Sequence, residues 1–346
     1  MAVASSSSAS RAQDFITKID GPSTAKAYGS YAELVSDPNV DCIYVATPHS
    51  HHFQNAMLAL QAGKNVLCEK ALTVNVEQTK KLIQVAKEKN LFFMEAVWTR
   101  YFPLSIKIRE MIRDGEIGQV VRVVADLSFT SATEDGKLDF PNTNRMVNMD
   151  LAGGALLDLG IYSLTWVFQA LYTTQEEPKE APKVLAAINK YSETGCDEQT
   201  SIICQFPRHQ SMGIALTGVR AGPTTEARAI TITGTKGEIQ VDGPAYRPES
   251  YRVSKKSDPH ISEVVKCIYP TDPARKGWGH GMYWEADEVA RCLRDGKKQS
   301  ESMSWEESTV IMETMDEVRR QGGLRYPDLI ESAEFDPQHP LNLGRS

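Results

Sequence analysis

The apolar run 65–68 (Asn-Val-Leu-Cys) follows a Gly and stops abruptly at two adjacent opposite charges, Glu69 and Lys70. A buried strand that ends in charge and passes into an amphipathic helix capped near Asn75 is how α/β proteins place reactive groups. The same alternation runs through the first third of the chain. Ser10-Arg11-Ala12-Gln13 fits a capping box opening a helix over 11–19, broken by Gly21-Pro22. A short strand at 25–28 precedes a second box, Ser30 to Glu33, and its helix. Strand 41–46 ends at Thr47-Pro48, and helix 50–62 leads to the 65–68 strand. Helix 75–90, strand 91–94 and helix 103–114, with Pro103 in its favoured first turn, follow. Strands this apolar, spaced by helices, predict a parallel, doubly wound sheet buried on both faces.

Beyond Gly118 the pattern changes. Residues 119–129 alternate, with Val121, Val123, Ala125, Leu127 and Phe129 on one face, which predicts a long, half-exposed antiparallel strand. An apolar helix over 153–171 is followed by strands at 184–191, 200–206, 211–218 and 229–233. A turn at 235–237 leads into strand 238–241. Helices near 282–294 and 305–321 close the chain. The expected fold is therefore α/β: a Rossmann-type domain over 1–118, then an α+β domain over 119–346 with a large, open, mainly antiparallel sheet.

Length and composition fit a globular protein of about two domains: 346 residues, 41% hydrophobic and 24% charged. The uninterrupted apolar runs are shorter than a membrane span. With 38 basic and 45 acidic residues, a net charge of −7 and no dense Lys/Arg cluster, nucleic acid is not an expected partner. Six cysteines lie scattered without CxxC spacing, which points to reduced thiols and a cytoplasmic setting. Residues 1–10 lack the apolar core of a secretory signal.

The chemistry gathers at two places. Asp158 and Tyr162 lie four residues apart, on one face of a helix, and Asp158 is a lone acid in an apolar segment. Asp158 bonded to backbone and Tyr162 as core is the plain alternative. A Lys beside a Tyr, however, lowers the phenol's pKa, and an Asp can orient that Lys. His49, His51 and His52 cluster in a loop with no Cys or carboxylate at ligand spacing, so a cofactor-facing loop is expected and no metal. Lys255-Lys256 reads as a solvated face. The segment 277–280 (Gly-Trp-Gly-His) reads as a turn that packs its Trp, with a place in the substrate pocket as the other option.

Together these residues resemble the Gfo/Idh/MocA oxidoreductases. The motifs, in order, are Ala46-Thr47-Pro48 with His52, Gly63-Lys64-Asn65-Val66 into Glu69-Lys70, and Trp98, Arg100 and Pro103. Gly115-Glu116-Ile117-Gly118 and Gly153-Gly154 through Asp158 and Tyr162 complete the set. Within the family the chain is similar to the dimeric dihydrodiol dehydrogenase branch, which includes NADP-dependent D-xylose 1-dehydrogenases. The resemblance implies NADP-dependent oxidation of a sugar hydroxyl, xylose C1 to a lactone, or of a trans-dihydrodiol, in a homodimer. It places Lys70, Asp158 and Tyr162 at the reacting hydroxyl, Thr47, Pro48 and His52 along the cofactor, and Glu69 near the nicotinamide ribose. Trp98 and Arg100 would wall the nicotinamide and substrate end.

The chain departs from the family pattern in two places. Ala71 stands where the family's Glu-Lys-Pro has Pro, so a trans Lys70–Ala71 peptide is expected. No G-x-G-x-x-G occurs, and residues 1–4 read as the tail of a second strand, so the Rossmann unit is expected to lack its first strand and glycine loop and to bind NADPH weakly. A non-catalytic scaffold or sensor is the rival reading. The 4–7 stretch, Ala-Ser-Ser-Ser, has no acid where a NAD site carries one. Its hydroxyls, Ser5 among them, together with Arg11 suit a 2′-phosphate, so NADP is preferred over NAD.

Overall fold

The computed structural model describes residues 1–223, 228–258, 263–270 and 280–344. In its first part β1 (Ala2–Ala4) leads into α1 (Ala9–Lys18), β2 (Lys26–Tyr28) into α2 (Tyr31–Ser36) and β3 (Cys42–Val45) into α3 (His52–Gln61). Next come β4 (Asn65–Glu69), α4 (Val76–Glu88), β5 (Phe93–Ala96) and α5 (Pro103–Arg113). Side-chain caps start three of these helices. Ser8 accepts from Arg11 N–H, Ser30 from Glu33 N–H and Asn75 from Gln78 N–H. The cap of α1 is thus Ser8 and not Ser10, because Ser8 holds the extended backbone a cap needs while Ser10 already lies in the first turn.

Strands β3, β4 and β5 pair in parallel, and Val66, Cys68 and Phe93 are wholly buried. Strands β1 and β2 also pair in parallel, but only with each other. The parallel sheet is therefore in two pieces, and β1 and β3 are not hydrogen-bonded neighbours.

The second part is built on β6 (Val120–Ser128), α6 (Ile161–Leu171), β7 (Lys183–Lys190), β8 (Asp197–Phe206) and β9 (Ser211–Gly218). It continues through β10 (Arg228–Gly234), β11 (Gly237–Asp242), β12 (Ser250–Lys255) and β13 (Val264–Lys266). Helices α7 (Tyr283–Arg294), α8 (Trp305–Gly322) and α9 (Asp328–Glu331) follow. One eight-stranded sheet results, in the order β13-β12-β11-β10-β6-β9-β8-β7. Its pairs are antiparallel except β6–β9. The expectation of an antiparallel β6 holds against β10 only. Between β6 and β9 the chain crosses over through α6 and the β7–β8 hairpin, and a crossover returns a strand in parallel. Strands β12 and β13 were not expected; β13 has three residues and β12 lies near the sheet edge, where burial imposes little pattern.

Helix α6 lies across β6 and β9. Ser163 Oγ accepts from Leu127 N–H (2.9 Å) and donates to Leu216 O (2.8 Å), stitching the helix to both strands. Gly213 leaves room for Val167, which a Cβ there would meet at 2.2 Å. The stretch Met149–Leu171 is long and apolar enough to cross a membrane, which the separate apolar runs did not suggest, and nearly all of it is buried in the core. Helix α8 packs on β7 and α4 and so spans both parts. Trp305 Nε1 donates to Phe93 O at 2.8 Å, and Asp316 accepts from Val76 N–H at 2.9 Å.

Candidate active site

Between the carboxyl ends of β3 and β4 and the start of α6 lies a cavity of about 570 Å³. Thr47, Pro48, His49 and His52 reach it from the turn after β3, Glu69 and Lys70 from the end of β4, and Trp98 from the turn after β5. Asp158 and Tyr162 enter from the opposite side.

Their placement begins with two glycines. Gly154 has φ +126°, and a Cβ there would lie 2.0 Å from Asp197 Oδ1; a Cβ on Gly153 would meet Arg145 O and Asn148 at 2.8 Å. Asp197 Oδ2 accepts from Leu156 N–H at 2.6 Å. From there the chain makes a π-helical turn, Leu156–Gly160, and continues as α6. A π-turn inside a helix is a frequent functional device. Asp158 lies within this turn and Tyr162 just after it, and both line the cavity.

Lys70 Nζ donates to Asp158 Oδ1 (2.7 Å) and to Asp158 O (2.6 Å), and lies 4.9 Å from the Tyr162 ring centre. Trp98 Nε1 donates to Tyr162 Oη at 2.7 Å. The Lys70–Ala71 peptide is cis, against the trans form expected without Pro. The residues that follow it are held on both sides. Ala71 and Leu72 are buried, Ala71 O faces His52 Nδ1 at 2.9 Å, and Leu72 N–H donates to Glu95 Oε1 at 3.0 Å. His52 Nε2 lies 2.8 Å from Thr47 O, so this one ring braces both loops. Burial lowers its pKa, and a neutral ring donates to one carbonyl at a time.

The electrostatics differ from a simple Lys-activated Tyr. Burial pushes the Tyr162 phenol up to about 12, outweighing Lys70 and the Trp98 bond, which act downward. Burial also opposes charge on Lys70 and Asp158. For Lys70 it is overcome by Tyr162 and Asp158, and the pKa stays above the ordinary lysine value. For Asp158 it is overcome by Lys70, His49 and Arg145, which hold the carboxyl well below the usual range. Burial drives His49 down to about 3, so it is neutral.

Arg100 does not reach the cavity. It sits on the tight turn Trp98–Tyr101, two residues from Trp98 and on the other side. There it is fully buried in an ion pair with Glu307 and a 3.0 Å bond to Thr173. Among the described residues the guanidinium lining the cavity is Arg145, with Nη1 3.3 Å from Asp158 Oδ2. Nothing in the local pattern around Arg145 marks it, and the same is true of Tyr246 and Met282, which also line the cavity. Phe129 was legible only as the last member of the alternating β6 face. Ser5 and Arg11 lie outside the cavity, on the β1–α1 turn. Ser5 and Ser7 hydroxyls are 3.2 Å apart, and Arg11 Nη1 donates to Ser7 Oγ at 3.3 Å. Lys255 pairs with Glu116 on the surface. Residues 277–279 lie outside the described residues. Among the described residues no three His, Cys, Asp or Glu groups are close enough to hold a metal ion.

Thr47 Oγ1 is buried at the cavity without a hydrogen-bond partner among the described residues. A donor left open at the carboxyl end of a parallel strand suits a nicotinamide group. A parallel sheet with such a crevice, joined to a second part whose π-turn and α6, packed on a large open sheet, carry Asp158 and Tyr162, defines a two-part dinucleotide-binding oxidoreductase. Residues 1–97 match the family model described as the oxidoreductase family with NAD-binding Rossmann fold, and residues 105–240 match the GFO/IDH/MocA C-terminal domain. The chain belongs to the Gfo/Idh/MocA oxidoreductase family.

The chain is 62% identical to D-xylose 1-dehydrogenase (NADP(+)) of Hypocrea jecorina, over 99% of this chain and 88% of that protein. It is 37% identical to trans-1,2-dihydrobenzene-1,2-diol dehydrogenase of Danio rerio, over 91% of this chain and 86% of the other. Among solved structures, levoglucosan dehydrogenase in complex with NADH and levoglucosan has the same fold, with TM-score 0.77 at 19% identity, covering 93% of this chain and 87% of the other.

Proposed function

We propose that the protein is an NADP-dependent dehydrogenase that oxidises a sugar hydroxyl, with D-xylose at C1 as the reference substrate. The observation that carries this reading is the joining of Lys70, Asp158, Tyr162 and Trp98 in one cavity, together with 62% identity to a D-xylose 1-dehydrogenase. Thr47, Pro48 and Glu69 would hold the nicotinamide end of the cofactor. When bound, the nicotinamide supplies the acceptor for the hydrogen and electron pair of the carbinol carbon. The hydroxyl proton passes to the Tyr162 oxygen as the C–O bond becomes C=O and the sugar becomes a lactone. Trp98 Nε1 and the Lys70 ammonium favour the phenolate that accepts this proton, and Asp158 holds Lys70 in place. A trans-dihydrodiol offers the same CH–OH group, which makes it the second substrate class.

The proposed enzyme works as a homodimer through the outer face of its large sheet. A row of apolar side chains crosses that face in register: Leu185 opposite Ile203, Ile203 opposite Ile214, and Ile214 opposite Val124. Leu185 is 65% exposed, and such a row is unusual on a surface left to water.

The test is NADPH formation from D-xylose by the wild type and by Tyr162→Phe. A fall in kcat of roughly 10²–10⁴-fold is expected for loss of the acid–base group. Near-normal turnover by Tyr162→Phe would transfer that role to Asp158. No turnover of any sugar or diol by the wild type would favour the scaffold reading.

A further inference from the structure

We propose that Arg145 is the specificity-determining residue of this cavity: its guanidinium bonds the hydroxyls of a cyclic polyol away from the carbon that is oxidised. It thereby favours a sugar over an aromatic dihydrodiol. The inference rests on the reading of the site as a sugar or diol dehydrogenase.

Asp158 divides its two oxygens. Lys70 takes Oδ1 at 2.7 Å, and Arg145 Nη1 approaches Oδ2 at 3.3 Å. Lys70 is buried against the catalytic turn, whereas the Arg145 side chain is 62% exposed and lines the cavity. A guanidinium carries five N–H donors and no acceptor. One contact to Asp158 leaves the others for a ligand.

The position of Arg145 is set by its backbone. Asn144 Oδ1 accepts from Met146 N–H at 2.9 Å, and Asn144 O accepts from Val147 and Asn148 N–H at 3.0 and 2.9 Å. The Arg145 carbonyl packs so closely on Gly153 that a Cβ there would come within 2.8 Å. The turn bearing Arg145 is thus seated on the segment that delivers Asp158.

The cavity also has an aromatic side. Tyr246 packs its ring 5.9 Å from Trp98, 6.0 Å from Tyr162 and 6.2 Å from Phe129. A sugar ring matches this pairing, with its C–H face on the aromatics and its hydroxyl edge toward Arg145. An aromatic dihydrodiol matches the aromatic side, but it has only one hydroxyl besides the one oxidised. A site built to hydrogen-bond substrate hydroxyls discriminates against ligands that lack them far more strongly than an apolar site can.

The experiment compares wild type, Arg145→Met and Arg145→Lys with D-xylose and with a trans-dihydrodiol at saturating NADP. Binding of D-xylose to each NADPH complex is measured in parallel by saturation-transfer NMR. In Arg145→Met the xylose-to-dihydrodiol ratio of kcat/KM is expected to fall about 10–100-fold, the scale of a lost charged hydrogen bond. The loss should appear in the KM for xylose more than in kcat, and Arg145→Lys should recover part of it. An unchanged ratio, or an equal fall in kcat for both substrates, would mean that Arg145 acts only through Asp158, and the proposal fails. If the wild type oxidises neither substrate, the dehydrogenase reading fails separately. The NMR comparison still decides this proposal, because equal xylose binding by wild type and Arg145→Met overturns it.

Discussion

Trp98 Nε1 donates to Tyr162 Oη at 2.7 Å, so the phenol oxygen has one partner fixed before any substrate arrives. Lys70 is near the same ring but spends its own hydrogen bonds on Asp158. Since burial pushes Tyr162 up to about 12, the phenolate is a minor species in the free enzyme at neutral pH. We therefore expect kcat/KM for sugar oxidation to climb with pH from 7 to 10, by about tenfold per unit. Trp98→Phe removes a donor that favours the phenolate. It should move this alkaline limb further up, by roughly 0.3–1 unit for one hydrogen bond of ~0.5–1.5 kcal/mol. A plateau below pH 8 in the wild type would exclude Tyr162 as the free-enzyme base.

The serine-lined turn after β1 is the proposed 2′-phosphate site. Ser5, Ser7 and Arg11 gather there at the start of α1, with Arg11 exposed. Arg11→Ala should weaken NADPH binding by about 10–100-fold, as expected for a charged hydrogen bond, and leave NADH binding as it was. Fluorescence titration with both cofactors reads this directly. Equal losses for NADPH and NADH would mean that Arg11 supports the fold and not the phosphate.

Asp197 supplies a pH-dependent support for the catalytic turn. It is fully buried, accepts from Leu156 N–H at 2.6 Å, and burial pushes its carboxyl up to about 7. Unfolded, the same group titrates near ~3.9. Between these values the folded state keeps a proton that the unfolded chain has lost. Its contribution to stability is therefore present below about pH 4 and disappears as pH rises through 7. Asp197→Asn, which cannot titrate, should lack this dependence. The stability of wild type minus that of Asp197→Asn should fall by roughly 2–4 kcal/mol from pH 4 to 7.5. Urea melts at several pH values test this, and a constant difference would refute it.

The apolar row on the large sheet makes a further demand. Placing a charge at its centre with Ile214→Glu should give a monomer in sedimentation while the cavity stays intact. A wild type that sediments as a monomer would remove the dimer from the proposal.

The order and type of elements were readable along the chain because local rules set them: apolar runs between helices, side-chain caps at Ser30 and Asn75, and Pro103 at a helix start. The main catalytic candidates were readable for a related reason. Lys70 closes a buried strand, and Asp158 interrupts an apolar helix, and each is a local anomaly. What joined them was tertiary. The parallel β6–β9 pair, the bracing of the Lys70 loop by Glu95 and His52, and the seating of the π-turn at Leu156–Gly160 on Asp197 all depend on partners distant in sequence. The exchange of Arg100 for Arg145 shows the same limit. Which guanidinium meets Glu307 in the core and which meets Asp158 at the cavity is a matter of how distant segments pack, and side-chain pattern along the chain has no access to it.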